Sequence, residues 1–505
     1  MWVAYHRTRT VATLDGLVRL RLVIRRCVNP ECGLYRHSHR PEEEGAFALP
    51  QGEFGLDVIA LVGALRHAEH RSVPEIHREL SGRGVAVSER TVTNLLDRYE
   101  ELVTLRLSDR ARLREVALAR QGRVVLALDG LQPDVGHEVL WVVRECLSGE
   151  VLLARSLLSG TEESLAGLLR EVVEGLPPVP VAGVISDGQH PIRRAVARVL
   201  PGVPHQLCQF HYLREAAKEV HEADRHAKKE LKKRVRGVRP IERELEGREA
   251  PEAEAVRGYC LAVRSAITDD GRPPLSASGM KLHDRIETIR GSIERVGRKK
   301  GIPAQLERLR RMLDRALAQT APLWPPIRLT YSWVHRAARI LANEEGLRVE
   351  ELRRDYRCLL SEMSSRREEA GDLTGAVSLF LKVTKSYWKG LFRCYRFPDL
   401  PPTNNDIEHC FGSARYHERR ASGRKGASPA MVVRGSVRLL AAVATPPEGF
   451  DAASIRPTDI EGWRALRGSL EKRRETRRAQ LRFRRNPDAY LRRLEEQLLK
   501  QALPA

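Results

Sequence analysis

Between residues 123 and 214, short apolar runs of strand length alternate with helical periodicity, and two of those runs end in aspartate. Val-Val-Leu-Ala-Leu (124–128) is closed by Asp129, and Val-Ala-Gly-Val-Ile-Ser (181–186) by Asp187. Runs this apolar suit strands buried on both faces of a sheet. Further strand candidates lie at 138–144, 151–156 and 204–208, with Gly149 turning the second hairpin. Leu165, Leu168, Leu169, Val172 and Val173 mark one helix face, and Ile192, Ala195, Val196, Val199 and Leu200 mark another. The expected order is β-β-β-α-β-α-β, three antiparallel strands followed by alternating α/β units.

Carboxylates at the ends of neighbouring buried strands can converge on one hard cation. A third candidate, Glu408, falls on a predicted helix capped by Thr403 or Asn404, with Ile407, Cys410, Phe411 and Ala414 as its core stripe. Glu408 lies on the flank of that stripe, where a sheet-packed helix borders a cleft. Gly412 and Arg415 follow on the same side; the first permits a phosphate backbone to approach and the second can clamp it. Asp129, Asp187 and Glu408 read as ligands for magnesium or manganese, with Asp129 bridging two ions. Two such ions, about 3.5 to 4 Å apart, suit in-line phosphoryl displacement.

Cys208 and His211 form Cys-Gln-Phe-His after the fifth strand. The pair fits a structural role beside the sheet, half of a zinc site, or a nucleophile with its base. No GxxxxGK[ST] run is present, so no nucleotide cofactor is expected.

The remaining sequence divides by composition. Residues 1–45 hold Cys27 and Cys32, with His37 and His39 close behind. They read as a degenerate zinc-ribbon-like module or as two free cysteines in a small basic domain. Residues 46–115 contain two capped helical patterns, from Ser72 and from Ser88, with Gly82 and Gly84 between them, and read as a helix-turn-helix. Val92, Leu95, Leu96 and Tyr99 form the inner stripe of the second helix, leaving Arg90, Thr93, Asn94 and Asp97 outward to reach base edges. A core from 121 to 215 is followed by strandless, charged sequence from 216 to 395, expected to be an all-helical insertion. Its basic run 228–236 is a solvated helix face or a DNA contact. Residues 396–444 carry the Glu408 helix, and 445–505 a linker and a basic helical tail.

With 87 Lys plus Arg against 66 Asp plus Glu, the net charge of +21 suits a polyanionic partner. Eight scattered cysteines make no disulfide framework, and no stretch has the length and apolarity of a membrane span or a signal peptide core. A cytoplasmic protein without membrane attachment, nucleoid-associated when bound to DNA, is expected.

Four motifs in order carry a family resemblance: Leu-Asp-Gly-Leu-Gln-Pro-Asp (128–134), Ile-Ser-Asp-Gly-Gln (185–189), Cys-Gln-Phe-His-Tyr-Leu-Arg (208–214) and Thr-Asn-Asn-Asp-Ile-Glu (403–408). Over residues 50 to 445 or so the chain resembles the DDE transposases of bacterial insertion sequences. The match is to the Mutator-like group, whose catalytic domain is ribonuclease-H-like and interrupted by a helical insertion. The resemblance implies cleavage at terminal inverted repeats and transfer of 3′-OH ends into target DNA. It assigns Asp129, Asp187 and Glu408 as catalytic metal ligands, with Cys208 and His211 as the accessory motif. Arg415, Arg419, Arg420, Arg424 and Lys425, on and after the same helix, join Arg90, Thr93 and Asn94 as DNA-contact candidates. Relatives often begin with a fuller zinc module than Cys27 and Cys32 offer, so a truncated start or a lost zinc site is in view. Two ends must be held together for concerted joining, so a homodimer or larger assembly on double-stranded DNA is expected. A catalytically inactive, transposase-derived DNA-binding protein and a ribonuclease-H-like nuclease without strand transfer stand as alternatives.

Overall fold

The computed structural model describes residues 1–109, 111, 122–132, 138–176, 179–269, 271, 273–424 and 429–501. The chain opens with an antiparallel pair, β1 (Trp2–Thr13) and β2 (Gly16–Arg26), joined through Leu14 and Asp15. Asp15-Gly16 makes this tight turn possible, because Gly16 adopts a φ of +115° that a Cβ disfavours. A short β3 (Ser38–His39) pairs with β2. A long hairpin thus occupies most of the segment read from the sequence as a small zinc-ribbon-like module. It is anchored where Ala12 exchanges hydrogen bonds with Glu53 and Gly55, each 2.8 Å, and where the Asp57 carboxylate accepts from the Leu14 amide at 2.7 Å.

Four helices follow: α1 (Glu44–Phe47), α2 (Leu56–His67), α3 (Val73–Gly82) and α4 (Glu89–Ser108). Ser72 and Glu75 form the expected capping box on α3, and Ser88 accepts from the Thr91 amide at 3.1 Å to cap α4. Val92, Leu95, Leu96 and Tyr99 are buried as the periodicity predicts. Asp97 is not outward: it is 6 % exposed and ion-paired with Arg434 at 3.0 Å. Its helical position lies beside the apolar stripe, and a cation distant in sequence converts that flank into core.

The five-stranded sheet consists of β4 (Val124–Leu131), β5 (Val139–Glu145), β6 (Val151–Leu157), β7 (Val181–Ser186) and β8 (His205–Leu207), in the order β6-β5-β4-β7-β8. Between β6 and β7 runs α5 (Glu162–Gly175), and between β7 and β8 runs α6 (His190–Val199). Neighbours β4/β5 and β5/β6 are antiparallel, with Asp129 opposite Val142 and Val143 opposite Leu153. Gly149, at φ +80°, turns the second hairpin. Val124, Leu126 and Leu128 pack with Leu165, Leu169 and Ile192 in one apolar core. Sheet order and element order are compatible with a ribonuclease-H-like core. One boundary differs from expectation: Asp129 lies inside β4, two residues before its end, because the ladder with β5 continues through Leu131↔Leu140.

Next come α7 (Gln209–Ala216), α8 (Lys218–Arg234), α9 (Val238–Arg243), α10 (Pro251–Thr268), α11 (Ser278–Lys299), α12 (Ala304–Thr320), α13 (Trp324–Ala342), α14 (Val349–Ser365) and α15 (Thr374–Tyr387). Every described element from Lys218 to Tyr387 is helical. The chain ends in α16 (Asn405–Ser422), α17 (Pro429–Ala444), α18 (Ile460–Arg485) and α19 (Pro487–Gln501). No helix among the described residues is long and apolar enough to cross a membrane.

Backbone packing divides the chain into two compact units: residues 1–184, 189–203 and 404–505 in one, 185–188 and 204–403 in the other. The second has two apolar cores, one around Leu231, Val256, Ile286 and Leu309, the other around Tyr212, Trp333, Tyr356 and Phe380. The buried Tyr212 hydroxyl is satisfied by Tyr356 at 2.8 Å and Thr384 at 2.6 Å.

The first unit contains a buried charge network. Arg434 on α17, 3 % exposed, pairs with Asp97, Glu100 and Glu101 of α4 at 3.0 to 3.2 Å. Arg438, one turn on, pairs with Glu100 at 3.3 Å and with Glu418 of α16 at 2.9 Å. The first half of α18 docks here too: Trp463 donates to Glu101 at 3.0 Å and Arg474 pairs with Asp97 at 2.8 Å. Part of the tail expected to face phosphate is therefore committed to protein carboxylates.

Removing Arg434 leaves three buried acids without their shared cation. Arg434→Met should lower the unfolding free energy by about 3–5 kcal/mol, read from the urea midpoint at constant m value; a loss below about 1 kcal/mol contradicts the assignment.

Beside the network, His67 of α2 stacks between Tyr99 and His417 of α16, with ring centroids 5.6 and 4.9 Å apart. Burial and the neighbouring Arg66 and Arg438 hold both imidazoles neutral, with His67 well below its ordinary value and His417 depressed to about 3. The unfolded chain binds protons near the ordinary value of 6.5 and the folded chain does not, so their stabilisation is lost as pH falls below about 6.5. The thermal midpoint should drop between pH 7 and 5, and His67→Phe with His417→Phe should reduce that drop; an unchanged pH profile in the double variant refutes the account.

Candidate functional site

The first unit's site is built from one strand and one helix. Asp129 points from the middle of the sheet at 5 % exposure, held in place by two donors. Its Oδ1 accepts from the Gly130 amide at 2.8 Å, and its Oδ2 accepts from Asn404 Nδ2 at 3.2 Å. The same Asn404 nitrogen reaches the Leu128 carbonyl at 3.3 Å. Asn404 occupies the N-cap position of α16 and makes no side-chain cap bond; its Nδ2 donates to β4 instead. It therefore fixes the start of the helix on the strand that carries Asp129.

From that anchor Ile407, Cys410, Phe411 and Ala414 turn inward, as expected, and Glu408 is left half-buried on the flank. Asp129 and Glu408 each present a carboxylate oxygen within 4.8 Å of the other. Arg144 of β5 steadies the first helical turn through Asp406 at 3.3 Å, and its Nε donates to the Gly149 carbonyl at 2.9 Å. Nothing local in the sequence marks Arg144, because its partner lies on a helix far along the chain; Asn404 was visible only as a cap.

Asp187, Cys208 and His211 fall in the second unit. Asp187 follows β7 at 8 % exposure. The preceding Ser186 hydroxyl contacts the Asp187 carbonyl and His205 Nε2, each at 2.8 Å, and the Ser186 carbonyl accepts from the Cys208 amide at 2.8 Å. A Cβ on Gly188 would meet Tyr387 at 1.9 Å, so the residue after Asp187 has to be glycine. Tyr387 is itself held by donating to Glu215 at 2.7 Å. Cys208 is buried at the N-cap of α7, and His211 is half-buried on the first turn of that helix. Two glutamines missed by the sequence reading complete the support: Gln206 accepts from the Cys394 amide at 2.9 Å, and Gln209 donates to the Leu391 carbonyl at 3.1 Å and to Tyr395 at 2.8 Å.

The remaining candidates sit on the first unit's surface. Arg90, Thr93 and Asn94 are exposed on the first turns of α4, and Arg415, Arg419, Arg420 and Arg424 are exposed on and after α16. Lys425 lies outside the described residues. Arg420 shares a cleft of about 700 Å³ with His70, Arg71, Arg78 and Arg83, where Arg71 and Arg83 are paired to Glu79, each at 2.9 Å. Cys27 and Cys32 are half-buried, and among the described residues no third His, Cys, Asp or Glu joins them in a cluster of metal-ligand geometry.

Asp129 and Glu408 each offer a carboxylate oxygen, a ligand type that suits Mg²⁺ or Mn²⁺. Glu408→Gln should weaken Mn²⁺ binding at least tenfold, and Asn404→Leu, which removes one donor to Asp129, should weaken it by roughly 10–100-fold. Titration followed by the Mn²⁺ EPR signal checks both; wild-type affinity in Glu408→Gln refutes the site.

No known protein family matches the chain, and no curated protein matches it. Among solved structures, it is similar to the Drosophila P element transposase strand transfer complex, with a TM-score of 0.35 and 12 % identity over 81 % of this chain and 94 % of that one.

Proposed function

We propose that the protein is a DDE transposase of an insertion sequence, cutting at terminal inverted repeats and joining the resulting 3′-OH ends to target DNA. The observation that carries the reading is the meeting of Asp129 with Glu408, built by Asn404 across 275 residues of chain. Sequence motifs at Asp187, Cys208 and His211 add to it by resemblance.

In this reading Asp129, Asp187 and Glu408 hold divalent metal, which when bound supplies an activated oxygen nucleophile and charge neutralisation at the scissile phosphate. The chain's own residues do the rest. Asn404 and the Gly130 amide fix the rotamer of Asp129. Arg144 keeps the Asp406 turn, and with it Glu408, against the sheet. Gly412, exposed one turn after Glu408, leaves room for a DNA strand, and the exposed Arg415 offers its phosphate a bidentate clamp. Arg90, Thr93 and Asn94 supply contacts away from the reacting phosphate, to base edges of the repeat. Holding both ends of the element calls for a homodimer or larger assembly on DNA.

The test is Mg²⁺-dependent cleavage and joining of labelled DNA carrying the sequences that flank the gene. Wild type should give joined products, while Glu408→Gln should lose at least a thousandfold in both steps and keep end binding within about threefold. Retained cleavage in Glu408→Gln refutes the site assignment, and free 3′-OH ends without joined products identify a nuclease instead.

A further inference from the structure

The second unit has a cleft of about 740 Å³ between α8, α9 and α10 that the reading above does not use. Its rim carries Lys232, Arg236 and Arg239, and its wall includes Val238 and Leu261. Leu261 is 58 % exposed, Arg236 and Arg239 are exposed, and Lys232 is half-buried. Three neighbouring cations on the same helices have partners: Lys233 and Arg234 pair with Glu230 at 2.6 and 2.8 Å, and Arg264, which also lines the cleft, pairs with Glu242 at 2.8 Å. Lys232, Arg236 and Arg239 have no ion pair among the described residues.

Three unpaired cations lining one cleft repel one another, and that cost is relieved by an external anion. The opposite side of the same segment is buried, with Leu231, Val235 and Ile241 in the core, so the rim is presented by rigid structure. Arginine forks suit phosphate oxygens, and an exposed leucine between them gives sugar carbons an apolar surface. No aromatic ring lines the cleft among the described residues, which disfavours stacking of an unpaired base and favours a paired strand.

We propose that the Lys232–Arg236–Arg239 rim is a docking surface for the phosphodiester backbone of duplex DNA. The proposal does not depend on the metal site, and binding in EDTA tests it without cleavage. Full-length protein is titrated with a labelled random-sequence duplex across a KCl series. Replacing all three, Lys232→Ala with Arg236→Ala and Arg239→Ala, should reduce the magnitude of the log K against log salt slope by roughly 2–3, about 0.9 per lost contact. Arg308→Ala, which removes a cation paired with Glu244, should leave the slope unchanged. Leu261→Glu removes no cation but brings a carboxylate to the rim, and should weaken binding at least fivefold. Because all these side chains are on the surface, far-ultraviolet circular dichroism should match wild type. An unchanged slope in the triple variant, or unchanged affinity in Leu261→Glu, overturns the proposal. So does a poly-glutamate peptide whose binding is lost in the triple variant while duplex binding persists, which would make the cleft a site for acidic protein segments.

Discussion

The first unit depends on Arg434. A guanidinium 3 % exposed, facing Asp97, Glu100 and Glu101 on one helix, is tolerable only because every charge has a counter-charge at hydrogen-bonding distance. Burial, with the nearby Asp97 carboxylate adding to it, pushes the Glu100 carboxyl upward in pKa, and Arg438 and Arg434 oppose that shift. The network is directional in a way that apolar packing is not: α17 can meet α4 only where a fork of donors finds three carboxylates. Arg438 carries the constraint on to Glu418, and Glu418 belongs to the helix that bears Glu408. The orientation of α16 is thereby set at both ends, by Asn404 on β4 at its start and by the ion network and the stacked histidines near its finish.

Asn404 resolves a competition between two uses of one side chain. As an N-cap it would stabilise α16 by about 1 kcal/mol. Bonded to Asp129 and the Leu128 carbonyl it joins a buried strand to a helix and satisfies polar atoms that are otherwise costly to bury. In the structure the side chain takes the second use, and Asn404 is 2 % exposed there. Asp406, by contrast, remains largely exposed and reaches Arg144 from the solvent side, a contact that orients more than it stabilises.

Local pattern carried most of the architecture. The five strands of the sheet, the hairpin at Gly149, the capping box at Ser72 and the inward stripe of α16 all lie where period and turn chemistry put them. Asp129 and Glu408 were legible as carboxylates on neighbouring elements. What was not legible depends on residues far apart in the chain: Asp97 reads as outward until Arg434, 337 positions later, accounts for it. The opening hairpin is a different omission, since Asp15-Gly16 between alternating stretches is a turn signal in its own right.

Net charge misstates how much of the surface is available to an anion. Arg434, Arg438 and Arg474 are spent inside the first unit, and Arg473 donates to the Val433 carbonyl at 3.0 Å besides pairing with Glu138. A composition count includes all four as attraction for phosphate, although each is already neutralised by a carboxylate or turned inward. Among the cations that remain exposed are two groups: Arg415, Arg419 and Arg420 on α16, and Arg236 and Arg239 at and after the α8–α9 turn, with the half-buried Lys232 beside them. Grouping follows from the physics of pairing. Where a helix alternates acid and base at i, i+3 and i+4, as at Glu230 with Lys233 and Arg234, the surface is self-compensated and has little pull on a polyanion. Attraction survives only where the acidic partner is missing from the pattern, so it is the unpaired arginines, more than the excess of +21, that mark where a polyanion would be attracted.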